Sequence, residues 1–305
     1  YQVRVRAEYS DHTTQDVTVH TRINSLNDAL AEATPEGQIT AKRAGATAIM
    51  LRYAGLAAVS HVVVPYSQGT PIPADTAQNP IDRLVAQRWS ELGLSPSSLC
   101  TDTEFLRRVS LDTIGTLPTP QEIRAFTADT HPEKRTRLVA HLLERPEYAT
   151  YWTLKWNDLL RNSRTALQEK GMWSLSNWIH ANFAQNRPYD AFVRDLLTST
   201  GGAYTVSPAN YYRTATTPQE LTETTAQLFL GVRLQCAKCH QHPFEKWSQA
   251  DYYSLGAFFS QVGRKAGDRP GDEVIFHKRG IASGTNKKTN EKVKPTPLGG
   301  KPLDL

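Results

Sequence analysis

Cysteine is scarce in this chain. Its 305 residues hold three, Cys100, Cys236 and Cys239, too few for a disulfide framework. No run of 18 or more apolar residues occurs, so no membrane-spanning helix is expected. A phosphate loop, a dinucleotide fingerprint and a Ser-His-Asp constellation are all missing. The carboxylates Asp190, Asp195, Glu220, Glu223, Glu245 and Asp251 fit helix caps and exposed faces rather than a paired acid–base site. Net charge is +5 and the isoelectric point is near 9.0. The lysines and arginines are mixed with acids, however, and form no basic stripe interleaved with aromatics. A nucleic-acid partner is therefore not expected. The chain begins at Tyr1 with neither a methionine nor a charged-then-apolar leader, as a processed or trimmed product would.

Hydrophobic residues make up 39%, enough for a packed core, and the length suits two domains or one large one. Over residues 1–66 the pattern has a period of two. Val3, Val5 and Ala7 alternate with polar residues, and Tyr9 to His12 makes a turn. Val17, Val19, Thr21 and Ile23 alternate again, as do Thr47, Ile49, Leu51 and Tyr53 before the Ala54-Gly55 turn. Short strands with glycine turns predict a small all-β sandwich. Residues 67–78 read as a polar, proline-containing linker.

From residue 79 the period becomes 3.6, which predicts a mainly α-helical region over 79–263. Asn79-Pro80 opens a helix whose apolar face is Ile81, Leu84, Val85, Trp89 and Leu92, and Gly93 stops it. Asp102 opens the next. Thr119-Pro120-Gln121-Glu122 and Thr217-Pro218-Gln219-Glu220 are capping boxes with proline at the first helical position. Pro132 and Pro146 start further helices, with Leu142 and Leu143 inward in the first of them. Residues 172–185 and the Phe192–Leu197 segment supply two more. The helix from Pro218 is expected to run straight into a cysteine motif. A last helix is expected after Ser248, with Gly263 closing it. Residues 264–305 read as an extended tail, with Val274 to Phe276 and Lys292 to Lys294 as the two arms of a β-hairpin.

The chemistry concentrates in Cys236-Ala237-Lys238-Cys239-His240. Two cysteines three positions apart, with a histidine directly after the second, are the attachment signature of a c-type haem. Each thiol adds across one vinyl group, and the imidazole serves as an axial ligand. Zinc held by Cys236, Cys239, His240 or His242 and a distant histidine is a second scheme, though finger spacing is absent. A redox dithiol is a third, without the βαβ setting such pairs have. Core cysteines with no cofactor are the fourth. His242 suits a propionate, a backbone carbonyl, a supporting role to the ligand or a structural place beside Pro243. Phe244 and Trp247 are expected near the cofactor. Met172, His180 and His277 are the candidates for a sixth iron ligand. Met172 fits core packing better, and His180 fits solvent. Cys100 reads as a small buried hydrophobe. Trp152 and Trp156 share a helix face and read as core.

Two resemblances follow from particular motifs. Ala7-Glu8-Tyr9-Ser10-Asp11, Asp16-Val17-Thr18, Gly37 to Ala41 and Gly45 to Ile49 resemble the bacterial immunoglobulin-like domain of group 2, here lacking its first strand. Residues 79–263 resemble the cytochrome-like domain of planctomycete bacteria labelled planctomycete cytochrome C. The matching motifs include Phe105 to Gly115, Leu117 to Pro120, Arg145 to Tyr148 and Trp152 to Arg161. They continue with Asn186 to Asp190, Phe229 to Val232, the cysteine motif and His242-Pro243-Phe244. Asp251-Tyr252-Tyr253 and Phe258-Phe259 complete them. The resemblance implies an exported, haem-carrying protein, periplasmic, at the cell surface or secreted. It implies a downstream domain or cell-surface partner but supplies no reaction. The resulting expectation is one covalent haem c on Cys236 and Cys239 with iron on His240, serving electron transfer to a redox partner protein. A haem enzyme with an open iron position is the first alternative. A non-redox surface scaffold with a zinc or purely structural Cys/His site is the second.

Overall fold

A computed structural model describes residues 1–67, 79–242 and 245–305. The expected linker over 67–78 therefore lies, beyond Ser67, outside the described residues. The chain forms two compact units. One comprises Tyr1–Ser98 with Cys236–Gln249, the other Leu99–Gln235 with Ala250–Leu305.

In the first unit, β1 (Arg6–Glu8) and β2 (Thr14–Asp16) form an antiparallel ribbon. The Asp11 carboxylate closes its turn by accepting from the Thr13 N–H and hydroxyl. The alternation expected through Val17 and Ile23 is interrupted. Asp16 accepts from both the Thr18 N–H and its hydroxyl, which draws the chain into a 3-10 helix at Thr18–His20. Such local side-chain bonds compete with a strand ladder. Val17 is consequently buried while Val19 is 76% exposed.

β3 (Arg22–Ser25) pairs with β6 (Gly45–Tyr53), which pairs with β7 (Leu56–Val64). Between them in sequence, β4 (Ala31–Ala33) and β5 (Ile39–Ala41) form a two-stranded sheet. Ala54 and Gly55 both have positive φ, as a two-residue turn matched to strand twist requires. Ile23, Ala31, Ile39, Ile49 and Leu51 meet in one core with Val3, Val5 and Val62 around it. Side chains from all of these sheets thus share a single interior.

Helix α1 (Pro80–Leu92) is capped by the Asn79 side chain and ended by Gly93 in the left-handed region. The Tyr66 N–H donates to Leu92 O and the Ser67 hydroxyl to Gly93 O. Its apolar face is formed as expected, yet none of its residues is buried.

The second unit is mainly helical. Its first helices are α2 (Asp102–Ile114), α3 (Pro120–Ala128), α4 (Lys134–Glu144), α5 (Pro146–Leu159), α6 (Arg164–Ala184) and α7 (Tyr189–Thr198). Thr101 with Glu104 and Thr119 with Glu122 complete reciprocal capping boxes. Helix α4 starts at Lys134 rather than at Pro132, and Leu143 is exposed while Leu142 is buried. After β8 (Gly201–Gly202) come α8 (Tyr211–Thr214) and α9 (Pro218–Phe229), the latter boxed by Thr217 and Glu220. The core gathers Leu160, Leu167, Leu175, Ile179, Leu196 and Tyr211. Trp156 packs into it, its ring 5.0 Å from Phe192 and 6.4 Å from Phe229. Burial pushes the Tyr211 hydroxyl up to about 12.

Helix α10 (Gln249–Gly256) ends earlier than expected and gives way to a 3-10 helix, Ala257–Gln261. Gly263 lies inside β9 (Val262–Ala266) instead of closing a helix. The expected hairpin is corrected too. β10 (Glu273–His277) pairs with β9 and β8, while β11 (Gly284–Thr285) pairs with β12 (Lys292–Val293). Small antiparallel sheets, a mainly helical region and C-terminal strands make up the described chain.

Candidate functional site

Helix α9 does not continue into the cysteine motif. The N–H groups of Leu230 and Val232 both donate to Ala226 O, and Gly231 turns the chain at φ 68°. Only a residue without Cβ takes that conformation at little cost. A separate 3-10 helix, Leu234–Lys238, then carries the motif.

The three-residue repeat of that turn sorts its side chains. Residues i and i+3 of a 3-10 helix eclipse one another. Leu234 and Ala237 form one such pair, and both are fully buried. Gln235 and Lys238 form a second, and Cys236 with Cys239, which follows directly after the helix's last residue, a third. Cys236 is half-buried, Cys239 is exposed, and both are free thiols. The turn closes when the N–H groups of Cys239 and His240 both donate to Cys236 O, each at 3.4 Å. The apolar pair thus fixes the turn, and the cysteine pair is left on its accessible side.

His240 is exposed, and its Nδ1 lies 2.7 Å from the carbonyl oxygen of Gln241. A carbonyl can only accept, so Nδ1 is the donor. The neutral ring then keeps its lone pair on Nε2, the state in which an imidazole binds a metal.

A short loop follows. The His242 N–H donates to Trp247 O at 2.9 Å and the Gln241 amide to Lys246 O at 3.0 Å. The Gln249 amide donates to Lys238 O at 2.9 Å, tying the far end of the loop back to the motif. His242 is buried. Trp247 is half-buried, donates through Nε1 to Glu245 and lies under the Lys246 ammonium. Phe244 lies outside the described residues. Leu234, Ala237, Gln241 and Gln249 shape this site yet carry no motif of their own. For Leu234 and Ala237 the available signal is their spacing of three, interleaved with that of the cysteines, and Gln241 and Gln249 have none.

The residues offered as a second ligand fall on two elements, Met172 and His180 on α6 and His277 on β10. Met172 packs against the helical core, His180 is exposed on α6 and His277 is exposed on β10. Cys100 is half-buried rather than buried, its carbonyl accepting from Arg135. Among the described residues no group of three or more His, Cys, Asp or Glu side chains could hold a metal ion. A four-ligand zinc site needs such a group. The two thiols of Cys236 and Cys239 and the His240 imidazole are the donor types that a haem joined through two thioethers would use. Among the described residues no helix is long and apolar enough to cross a membrane.

The family model PSCyt2, described as a protein of unknown function (DUF1549), matches residues 80–264. The chain belongs to this family. The PSCyt2 match runs from the start of α1 into β9 and includes the motif turn. It corresponds to the cytochrome-like domain that the motifs resemble. No curated protein and no solved structure matches the chain.

Proposed function

We propose that the chain is an extracytoplasmic c-type haem protein that passes electrons to or from a redox partner protein. Cys236 and Cys239 would hold the haem through their sulfurs, and His240 Nε2 would bind its iron. Each attachment would add one S–H across a vinyl group, with no leaving group. The bound group would supply one-electron redox chemistry. The chain's own residues do the positioning. Leu234 and Ala237 hold the turn so that both thiols emerge together, and Gln241 O holds the imidazole in its ligating tautomer. His242 and Trp247 shape the loop behind the ligand. Upstream, the immunoglobulin-like resemblance of residues 1–66 suits a spacer at the periplasmic face, at the cell surface or on a secreted protein.

The observation that carries this reading is that both thiols are free, Cys236 half-buried and Cys239 exposed, on a turn whose Leu234 and Ala237 are fully buried. The His240 Nδ1 bond supports it. Reduced carbon monoxide difference spectra test the electron-transfer role, on protein made alongside haem-maturation machinery. A pigment that does not bind carbon monoxide supports a carrier. Ready binding would favour the haem enzyme with an open iron position. A colourless product would overturn both and leave a structural Cys/His site.

A further inference from the structure

A pocket of about 630 Å³ opens in the second unit, a size that takes a small molecule. Leu197 near the end of α7, Leu255 on α10 and Ile275 on β10 contribute aliphatic walls. Phe258 and Phe259, on the 3-10 helix that follows α10, and Tyr212 on α8 contribute three rings.

Most polar side chains on these walls are already bonded within the chain. The Thr198 hydroxyl donates to Arg194 O at 2.8 Å, the Ser199 hydroxyl to Leu196 O at 3.0 Å and the Tyr212 hydroxyl to Leu197 O at 2.6 Å. The Thr225 hydroxyl bonds that of Tyr211 at 2.8 Å. Thr200 and His277 are exposed, where water serves them. Gln261 is different. It is only 9% exposed, and its backbone carbonyl accepts from the Lys278 N–H at 2.7 Å. Its side-chain amide has no hydrogen-bond partner among the described residues, yet neither amide atom is sealed inside the protein. Residues three apart in a 3-10 helix eclipse one another, so Gln261 lies on the same side as Phe258. A buried amide left unpaired is costly, and a ligand that supplies the missing bond removes that cost.

The lining sets the chemistry of what fits. Among the described residues, none that lines the pocket is a carboxylate, a lysine or an arginine. An ionised ligand would lose its hydration there with no opposite charge to pair it. The occupant is therefore uncharged. Three aromatic side chains reward a flat ring with edge and face contacts that an acyl chain does not make. The Gln261 amide offers N–H donors to a carbonyl and an oxygen acceptor to a hydroxyl. An apolar ring body with one such polar atom matches both the walls and the single unpaired group.

We infer that this pocket binds an uncharged, flat ring compound carrying a carbonyl or hydroxyl, with Gln261 as its polar contact and Phe258 in the wall against its ring. This stands independently of the haem reading. The test titrates the full chain with the naphthyl ketone dye Prodan, which is neutral and whose emission moves to the blue when it leaves water. Laurate and the naphthalene sulfonate dye ANS serve as charged comparisons. Prodan should give a saturable blue shift and bind more tightly than either. Gln261→Leu keeps the bulk and removes the amide, and should weaken Prodan about tenfold. The same variant should melt about 2 °C higher than the parent, because the fold no longer buries an unpaired amide. Weaker binding with a higher melting temperature separates a ligand contact from a structural role, which would lower both. Phe258→Leu keeps the wall apolar without its ring and should weaken Prodan about fivefold, with the circular dichroism spectrum unaltered. Absence of a saturable shift, full binding in Gln261→Leu, a lower melting temperature in that variant, or tighter binding of laurate or ANS would each overturn the inference.

Discussion

Leu234 and Ala237 occupy one side of the 3-10 turn, both fully buried, and so leave Cys236 and Cys239 paired on the accessible side. The pairing is a consequence of period: three residues per turn align i with i+3. Replacing Ala237 by Asp puts an unpaired carboxylate at the buried position. The turn should then open at a cost of roughly 3 kcal/mol, and both thiols should lose their common face. Thermal melts and thiol-alkylation rates will check it, with the Cys236 rate rising toward that of Cys239. A Cys236 rate left unchanged by Ala237→Asp would argue against the buried pair's hold on the turn.

The His240 to Gln241 bond makes a separate prediction. His240→Ala should leave attachment through Cys236 and Cys239 intact while removing the axial nitrogen. Haem content should therefore stay near that of the parent. The visible spectrum should shift, and added imidazole should restore it. Loss of the pigment itself, with the fold preserved, would contradict the assignment of His240 as ligand rather than anchor.

Two glycines with nearly the same backbone should respond differently to alanine. Gly231, at φ 68°, has open space where a Cβ would go. Gly231→Ala should cost only the left-handed strain, about 1 kcal/mol. Gly115, at φ 70°, ends α2 beneath the Tyr151 ring, and an added Cβ would run into that ring. Gly115→Ala adds overpacking to the same strain and should cost roughly 3 kcal/mol. Denaturant titrations rank the pair, and equal costs would show that the Tyr151 contact yields freely.

Arg145 ties α3 to the start of α5 through Glu122 at 2.7 Å and Glu147 at 2.6 Å. Its guanidinium holds the Glu147 carboxyl at about 2, below an ordinary 4.5. A depressed carboxylate contributes stability that is present above its unfolded pKa. That contribution is lost as pH falls from about 4.5 to about 2. Parent and Glu147→Gln should therefore differ in melting temperature at neutral pH and converge near pH 2. A gap that stays constant through this window would rule out the Arg145 pairing as its source.

Features set by local chemistry were legible before the structure. The Thr119 and Thr217 capping boxes depend on residues three apart, and Asn79 and Gly93 mark their helix ends in the same way. The order of sheets then helices followed from the change of period at residue 79. What escaped depends on distant partners or on competition between local bonds. β10 pairs with β8, about 70 residues earlier, and no pattern within 264–305 encodes that register. The strand expected through Val19 lost to the Asp16 bonds to Thr18. In the site, the spacing of Cys236, Cys239 and His240 was plain. Gly231 carried the signal that separates α9 from the motif, but the apolar run beside it suggested continuity.

The central claim is covalent haem on Cys236 and Cys239. Its most direct measurement is the intact mass of the chain, made alongside haem-maturation machinery, with a pyridine haemochrome spectrum of the same sample. The expected mass is that of the polypeptide plus one haem, surviving denaturation, with the bands of a haem joined through two thioethers. Replacing both cysteines with alanine should return the bare mass. A parent chain at bare polypeptide mass with no Soret band, under conditions that mature a control cytochrome, would contradict it.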